Sequence, residues 1–134
     1  MRTLSIAVLL VVAALISSSA FAHHSAAGID RSKSVTVEGV VKQFKWGNPH
    51  SWLEVEVQNS KGGSDLWNFE MNPPAYLVRS GWKSTSVKAG DKVKVTGRPF
   101  MNGEPGGIFM SVTLENGLVL AAGAQPSQLP PAAK

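Results

Sequence analysis

The chain contains no cysteine, so no disulfide framework can brace it, even in an oxidising compartment. Its stability has to come from a packed core. There is no run of Lys and Arg and no basic helical face, which leaves nucleic-acid binding unsupported. No G-x-S-x-G is present, and the Gly-rich segment 102–107 lacks the Lys-Ser/Thr that a phosphate cradle requires. Met71, Met101 and Met110 are scattered and form no Met-rich copper motif. Beyond the first 22 residues no stretch is long and apolar enough to cross a membrane.

What is there starts at the amino end. Arg2 supplies a short basic start, residues 4–16 are apolar apart from Ser5, and Ser17-Ser18-Ser19 leads to Ala20-Phe21-Ala22. A basic start, a short apolar run and an A-x-A end read as a secretory signal peptide cut after Ala22. The apolar run is shorter than the ~20 residues of a bilayer span, which weighs against an uncleaved anchor. No Cys stands at the cut, which weighs against a lipoprotein. The expected location is the periplasm of a bacterial cell, or its exterior, with no membrane attachment in the mature form. Cleavage leaves 112 residues, enough for one small domain, and removes Arg2, lowering the formal charge from +4 to +3.

The mature part divides into a lead-in over 23–33, a β-domain over 34–121 and a disordered Pro/Ala-rich tail over 122–134. Segment 34–46 is rich in β-branched and aromatic residues. Val35, Val37 and Val41 share one parity, and Val40, Phe44 and Trp46 share the other. Gly39 sits inside it, where a bulge or sharp bend would let one strand serve two sheets. Gly47-Asn48-Pro49 then breaks the run. Segment 51–58 alternates: Leu53, Val55 and Val57 on one side, Trp52, Glu54 and Glu56 on the other. After a loop at 59–64, Trp67, Phe69 and Met71 mark one face of a third strand. Asn72-Pro73-Pro74 signals a helix start with Asn72 as N-cap, and Gly81 its stop. Val93 and Val95 point inward in a strand over 92–100. A further strand is expected over 108–114, turned at Asn116-Gly117 into a short sixth over 118–120. Three strands, one short helix and two to three further strands predict a mainly β fold. The expected form is a small OB-fold-like Greek-key barrel of five to six strands. A β-sandwich is the alternative, disfavoured by the helix after the third strand.

Only three histidines occur: His23, His24 and His50. A cut after Ala22 makes His23 the first residue, so its α-amine and imidazole can chelate one ion together. His50 would add a third nitrogen in a T-shaped arrangement, with His24 able to replace it. Imidazole ligands suit copper, zinc and nickel, and copper(II) heads the affinity order. A cut after Ala20 would instead place His23 third and offer a square-planar copper(II) or nickel(II) site. The plainer alternative is a solvated terminal His pair, with His50 donating a hydrogen bond that closes the Asn48-Pro49 turn. A second candidate surface is the strand face of Trp52, Glu54 and Glu56, on which Trp52 would stack against a ligand if exposed. The two carboxylates, at i and i+2, lie on one side, but no further catalytic set accompanies them. An enzyme is therefore not expected.

The pattern His23-His24-Ser25, Ile29-Asp30, Gly39, Trp46-Gly47-Asn48-Pro49-His50, Gly81-Trp82 and Gly90-Asp91-Lys92-Val93 resembles one bacterial family of exported proteins. It is the domain of unknown function 6152 family. Ile29 departs from it, since the family more often has an aromatic residue before the Asp. The resemblance implies a small exported β-domain and brings no activity with it. Together these readings predict a small exported binding domain, its partner either a copper-type ion or another periplasmic protein. In the first case the ion sits on His23, His24 and His50. In the second, a metal-free adaptor binds a protein segment or a glycan through the face of Trp52, Glu54 and Glu56.

Overall fold

The computed structural model describes residues 28–123. Six strands form: β1 (Val35–Lys45), β2 (Ser51–Gln58), β3 (Ser64–Met71), β4 (Lys92–Pro99), β5 (Gly106–Leu114) and β6 (Val119–Ala121). One helix, α1 (Pro74–Arg79), lies between β3 and β4. They pair in the order β3-β2-β1-β4-β5-β6. The sheet closes where β3 and β5 run parallel over Asn68–Glu70 and Gly106–Ile108. Five strands thus make a closed barrel of OB type, and β6 is an addition along β5.

Closure depends on β1, whose first half pairs with β4 and second half with β2. The expected irregularity at Gly39 falls elsewhere: the β1–β2 register shifts between Val41 and Gln43. This bulge inverts the side-chain alternation. Val37 and Val41 face the core, and after the shift Phe44 faces it too, while Val40 stands exposed. Gly39 has a different duty: a Cβ there would lie 2.3 Å from the Glu56 carbonyl oxygen. The glycine lets β1 and β2 approach closely at this point.

The core joins Val37 and Val41 to Leu53, Val55, Phe69, Val95 and Val112 around the strands. Trp82 and Leu77 plug one end of the barrel. Trp82 packs against Phe44 and edge-on against Phe109, with ring centroids 5.7 and 5.5 Å away. Its Nε1 donates to the Ala121 carbonyl at 2.8 Å, tying β6 to the plug. Pro73, not Asn72, occupies the N-cap position of helix α1, and no side chain caps it. With a proline in the first turn, fewer N–H groups need a cap. Asn72 is thereby free to donate to the Ala122 carbonyl. The helix ends at Gly81 (φ 87°), with Gly81 N bonded to Val78 O and Trp82 N to Leu77 O. That Schellman arrangement aims Trp82 at the barrel mouth. No helix among the described residues is long and apolar enough to cross a membrane.

Candidate functional site

The β1–β2 connection carries Gly47, Asn48, Pro49 and His50. It is closed by Ser51, which is fully buried. The Ser51 hydroxyl accepts from Gly47 N at 3.3 Å and approaches the Gly47 carbonyl at 3.5 Å. The turn therefore does not need His50, contrary to the hydrogen bond expected for it. The Asn48–Pro49 peptide is cis. His50 leaves this turn at the start of β2 and swings its ring toward the end of β3. Its Nδ1 lies 3.3 Å from the Met71 carbonyl oxygen and 3.3 Å from Glu70 Oε1. The Met71 carbonyl only accepts hydrogen bonds, so this contact assigns the Nδ1 position its hydrogen. The other ring nitrogen, Nε2, has no hydrogen-bond partner among the described residues, and the side chain is 45 % exposed.

Glu70 was not singled out by the sequence. Alternation puts it on the barrel exterior, opposite to Phe69 and Met71, yet it is only 6 % exposed. In register it lies between Trp52 of β2 and Ile108 of β5, at the seam that closes the barrel. Glu70 and Ser51 are the two buried polar or charged residues among those described. A carboxylate so placed loses much of its hydration and gains from any group that donates to it. The His50 ring is the nearest such group, its Nδ1 3.3 Å from Glu70 Oε1 while its hydrogen bond goes to the Met71 carbonyl.

Trp52, Glu54 and Glu56 do share the outer face of β2, each half-buried. Trp52 sits across from Lys45 on one side and Glu70 on the other. The two glutamates are not used as a pair. Glu54 is bound by the Lys45 ammonium, and Glu56 accepts from the Ser64 hydroxyl at 2.8 Å. The structure thus brings His50, Glu70 and Trp52 together and sends Glu54 and Glu56 to separate partners. His23, His24, the leader over 1–22 and the last eleven residues lie outside the described residues. Within the described part no group of three or more His, Asp or Glu side chains is arranged to hold a metal ion.

The lead-in docks firmly. Ile29 is buried and bridges to Phe100, Asp30 N donates to the Pro99 carbonyl, and Met101 N donates to the Gly28 carbonyl. The Ser32 hydroxyl and the Lys33 ammonium hold the Asp30 carboxyl below its ordinary range. Phe100 in turn bonds to Gly106, and Gly106 pairs with Asn68, two residues from Glu70. The lead-in is thus tied to the end of β4 and, through Phe100, to the start of β5.

A sequence model of a family of unknown function, DUF6152, matches residues 10–110. The chain belongs to that family. For a DUF6152 protein β1 to β4, the His50 loop and the first half of β5, up to Met110, fall within the matched region. No curated protein and no solved structure matches the chain.

Proposed function

We propose that this DUF6152 protein is an exported binding domain that carries a copper-type divalent ion. The ligands are the α-amine and imidazole of a mature N-terminal His23, with His50, or His24 in its place, as the third nitrogen. The observation that carries the reading is the state of the His50 ring. Its Nδ1 is occupied by the Met71 carbonyl, and among the described residues its Nε2 has no hydrogen-bond partner on a half-exposed side chain. Metal-bound histidines have this division of labour, one nitrogen on the ion and the other donating to a carbonyl or carboxylate.

Chain length supports the union of the two ends. Four residues lie between His23 and Gly28, and the five steps give a reach of about 17 Å. From Ile29 to Asn68 the path crosses Phe100 and Gly106, three strand spacings or about 14 Å. His50 stands against Glu70, two residues further along β3, or about 7 Å. Isothermal titration of copper(II) into protein spanning 23–134 tests the reading, with His50→Ala as control. Sub-micromolar affinity, reduced at least about tenfold by the substitution, is expected, since one imidazole is lost from three nitrogens. Affinity weaker than about micromolar, or indifference to the substitution, overturns it.

A second reading rests on Trp52, which stands half-exposed on the outer barrel face between Lys45 and Glu70. In that reading the domain is a metal-free envelope adaptor, and Trp52 stacks on a glycan or a protein segment. A Trp52→Ala variant that keeps full copper affinity but loses a co-purifying partner would favour it.

A further inference from the structure

We propose that a two-part groove on the outside of β1, β4 and β5 binds a single-chain amphiphile with an anionic head, of the fatty-acid carboxylate class. Two hollows adjoin there, of about 500 and about 540 Å³, and Lys92, Leu114 and Glu115 line both. Each falls in the ~300–1,000 Å³ range of small-molecule sites. The first lies over the strands, where Val40 pairs with Lys92 and Glu38 with Lys94. Val40 is 42 % exposed and offers it an aliphatic side chain. The Lys94 ammonium is held by Glu38 at 2.7 Å and the Lys92 ammonium by Glu115 at 3.7 Å. With their heads engaged, the two lysines contribute their methylene stems beside Val40 and Leu114. The second hollow continues toward the 85–91 connector and the β5–β6 turn. The Lys92–Glu115 pair between them is long and exposed, so parting it costs little.

The hydrogen-bond census of the second hollow selects the head group. Its acceptors are already served: Asp91 Oδ2 by Lys88 N at 2.9 Å, Asn116 Oδ1 by Leu118 N at 3.0 Å and Ser86 Oγ by Lys83 N at 2.8 Å. Its donors are open. Among the described residues the Lys88 ammonium has no ion pair, and the Thr85 and Ser86 hydroxyl hydrogens and the Asn116 amide hydrogens have no acceptor. Open donors around a free ammonium call for an oxyanion, and a carboxylate accepts from several of them at once. The aliphatic hollow next door then takes the chain attached to it. An added peptide strand does not fit here. β4 lies between β1 and β5, while β2 and β6 cover their far sides, so the main chain offers no free edge. The groove shares no lining residue with the His50 loop or the Trp52 face, and its ligand is independent of the copper reading.

Titration of nitrogen-15-labelled protein spanning 23–134 with octanoate, kept below its micelle concentration, tests the assignment by NMR. Acetate supplies the head without the tail, and octanol the tail without the charge. Octanoate should give saturable amide shifts centred on Val40, Ser86, Lys88, Lys92 and Leu114. Acetate and octanol should each bind at least about tenfold more weakly. Lys88→Gln should weaken octanoate about fivefold, as loss of one ion pair at an open site does, and leave octanol unchanged. Val40→Ser should weaken octanoate and octanol alike, by about threefold. Both substitutions are at exposed positions, and superposition of the remaining amide signals checks that the fold is kept. Shifts that do not saturate, or that centre on another face of the barrel, would overturn the proposal. Acetate binding as tightly as octanoate would reduce the site to an adventitious anion. Octanol binding as tightly as octanoate, or octanoate indifferent to Lys88→Gln, would remove the head-group recognition, and the proposal with it.

Discussion

Gly39 has no room for a side chain, and the obstacle is backbone: the Glu56 carbonyl oxygen at 2.3 Å, with Val55 Cγ1 at 2.8 Å. A flexible side chain would yield, whereas a paired strand will not. Gly39→Ala should therefore destabilise the domain by about 1–3 kcal/mol, read as a lower denaturation midpoint with unchanged slope. A midpoint equal to wild type would show that β1 and β2 can part there at no cost. The position illustrates what a sequence conveys at this scale. A glycine inside a β-branched run announces a backbone demand, but not which of bulge, bend or close approach it serves. Glu70 is harder still. Its alternation with Phe69 and Met71 correctly puts it outside the barrel. Its burial arises from Trp52, Ile108 and His50, none of which is local to it. His50 was legible as a candidate ligand, being one of three histidines. The carboxylate behind it was not.

The elements were legible to the degree that their signals were local. The alternation of Leu53, Val55 and Val57 marks β2 correctly, and Gly81 ends α1 as a left-handed C-terminal residue should. Parity along the first strand does not carry past Val41, because a bulge is a property of the pair and not of one strand. Phe44 moved to the core side as a result. The Asn72 cap was misread for a related reason: a competing acceptor on Ala122 lies far along the chain. The Gly81 geometry leads to a prediction about the whole plug. With φ at 87°, an added Cβ is strained although nothing lies within 4 Å of it. Gly81→Ala should cost about 1–2 kcal/mol and loosen the Schellman bond that aims Trp82. Hydrogen exchange at the Trp82 indole N–H, bonded to Ala121 at 2.8 Å, should accelerate in the variant. Unchanged exchange there, beside an unchanged midpoint, would mean that Trp82 is held by its packing against Phe44 and Phe109 alone.

At the scale of the molecule, closure of the barrel and assembly of the site are one event. The seam between β3 and β5 is only three register pairs long, and Glu70 is the last of them. The lead-in arrives at the same seam by way of Phe100 and Gly106. A metal ion joining His23 to His50 would therefore clasp the amino end across the barrel's shortest ladder, and binding should appear as folding stability. At a copper concentration 100-fold above Kd the linkage is about 2.7 kcal/mol. For a domain of this size that corresponds to a rise in Tm on the order of 10 °C. The rise should depend on the α-amine. A protein acetylated on the His23 α-amine has the same barrel, the same His23 imidazole and the same His50, but has lost the basic amine that closes the chelate. Thermal melts of the free and the acetylated protein, each starting at His23 and each with and without copper(II), separate the contributions. Most of the rise should vanish on acetylation, while the metal-free melts coincide. Equal shifts in the two proteins would remove the amine from the site, leaving the imidazoles of His23, His24 and His50 to account for any copper bound.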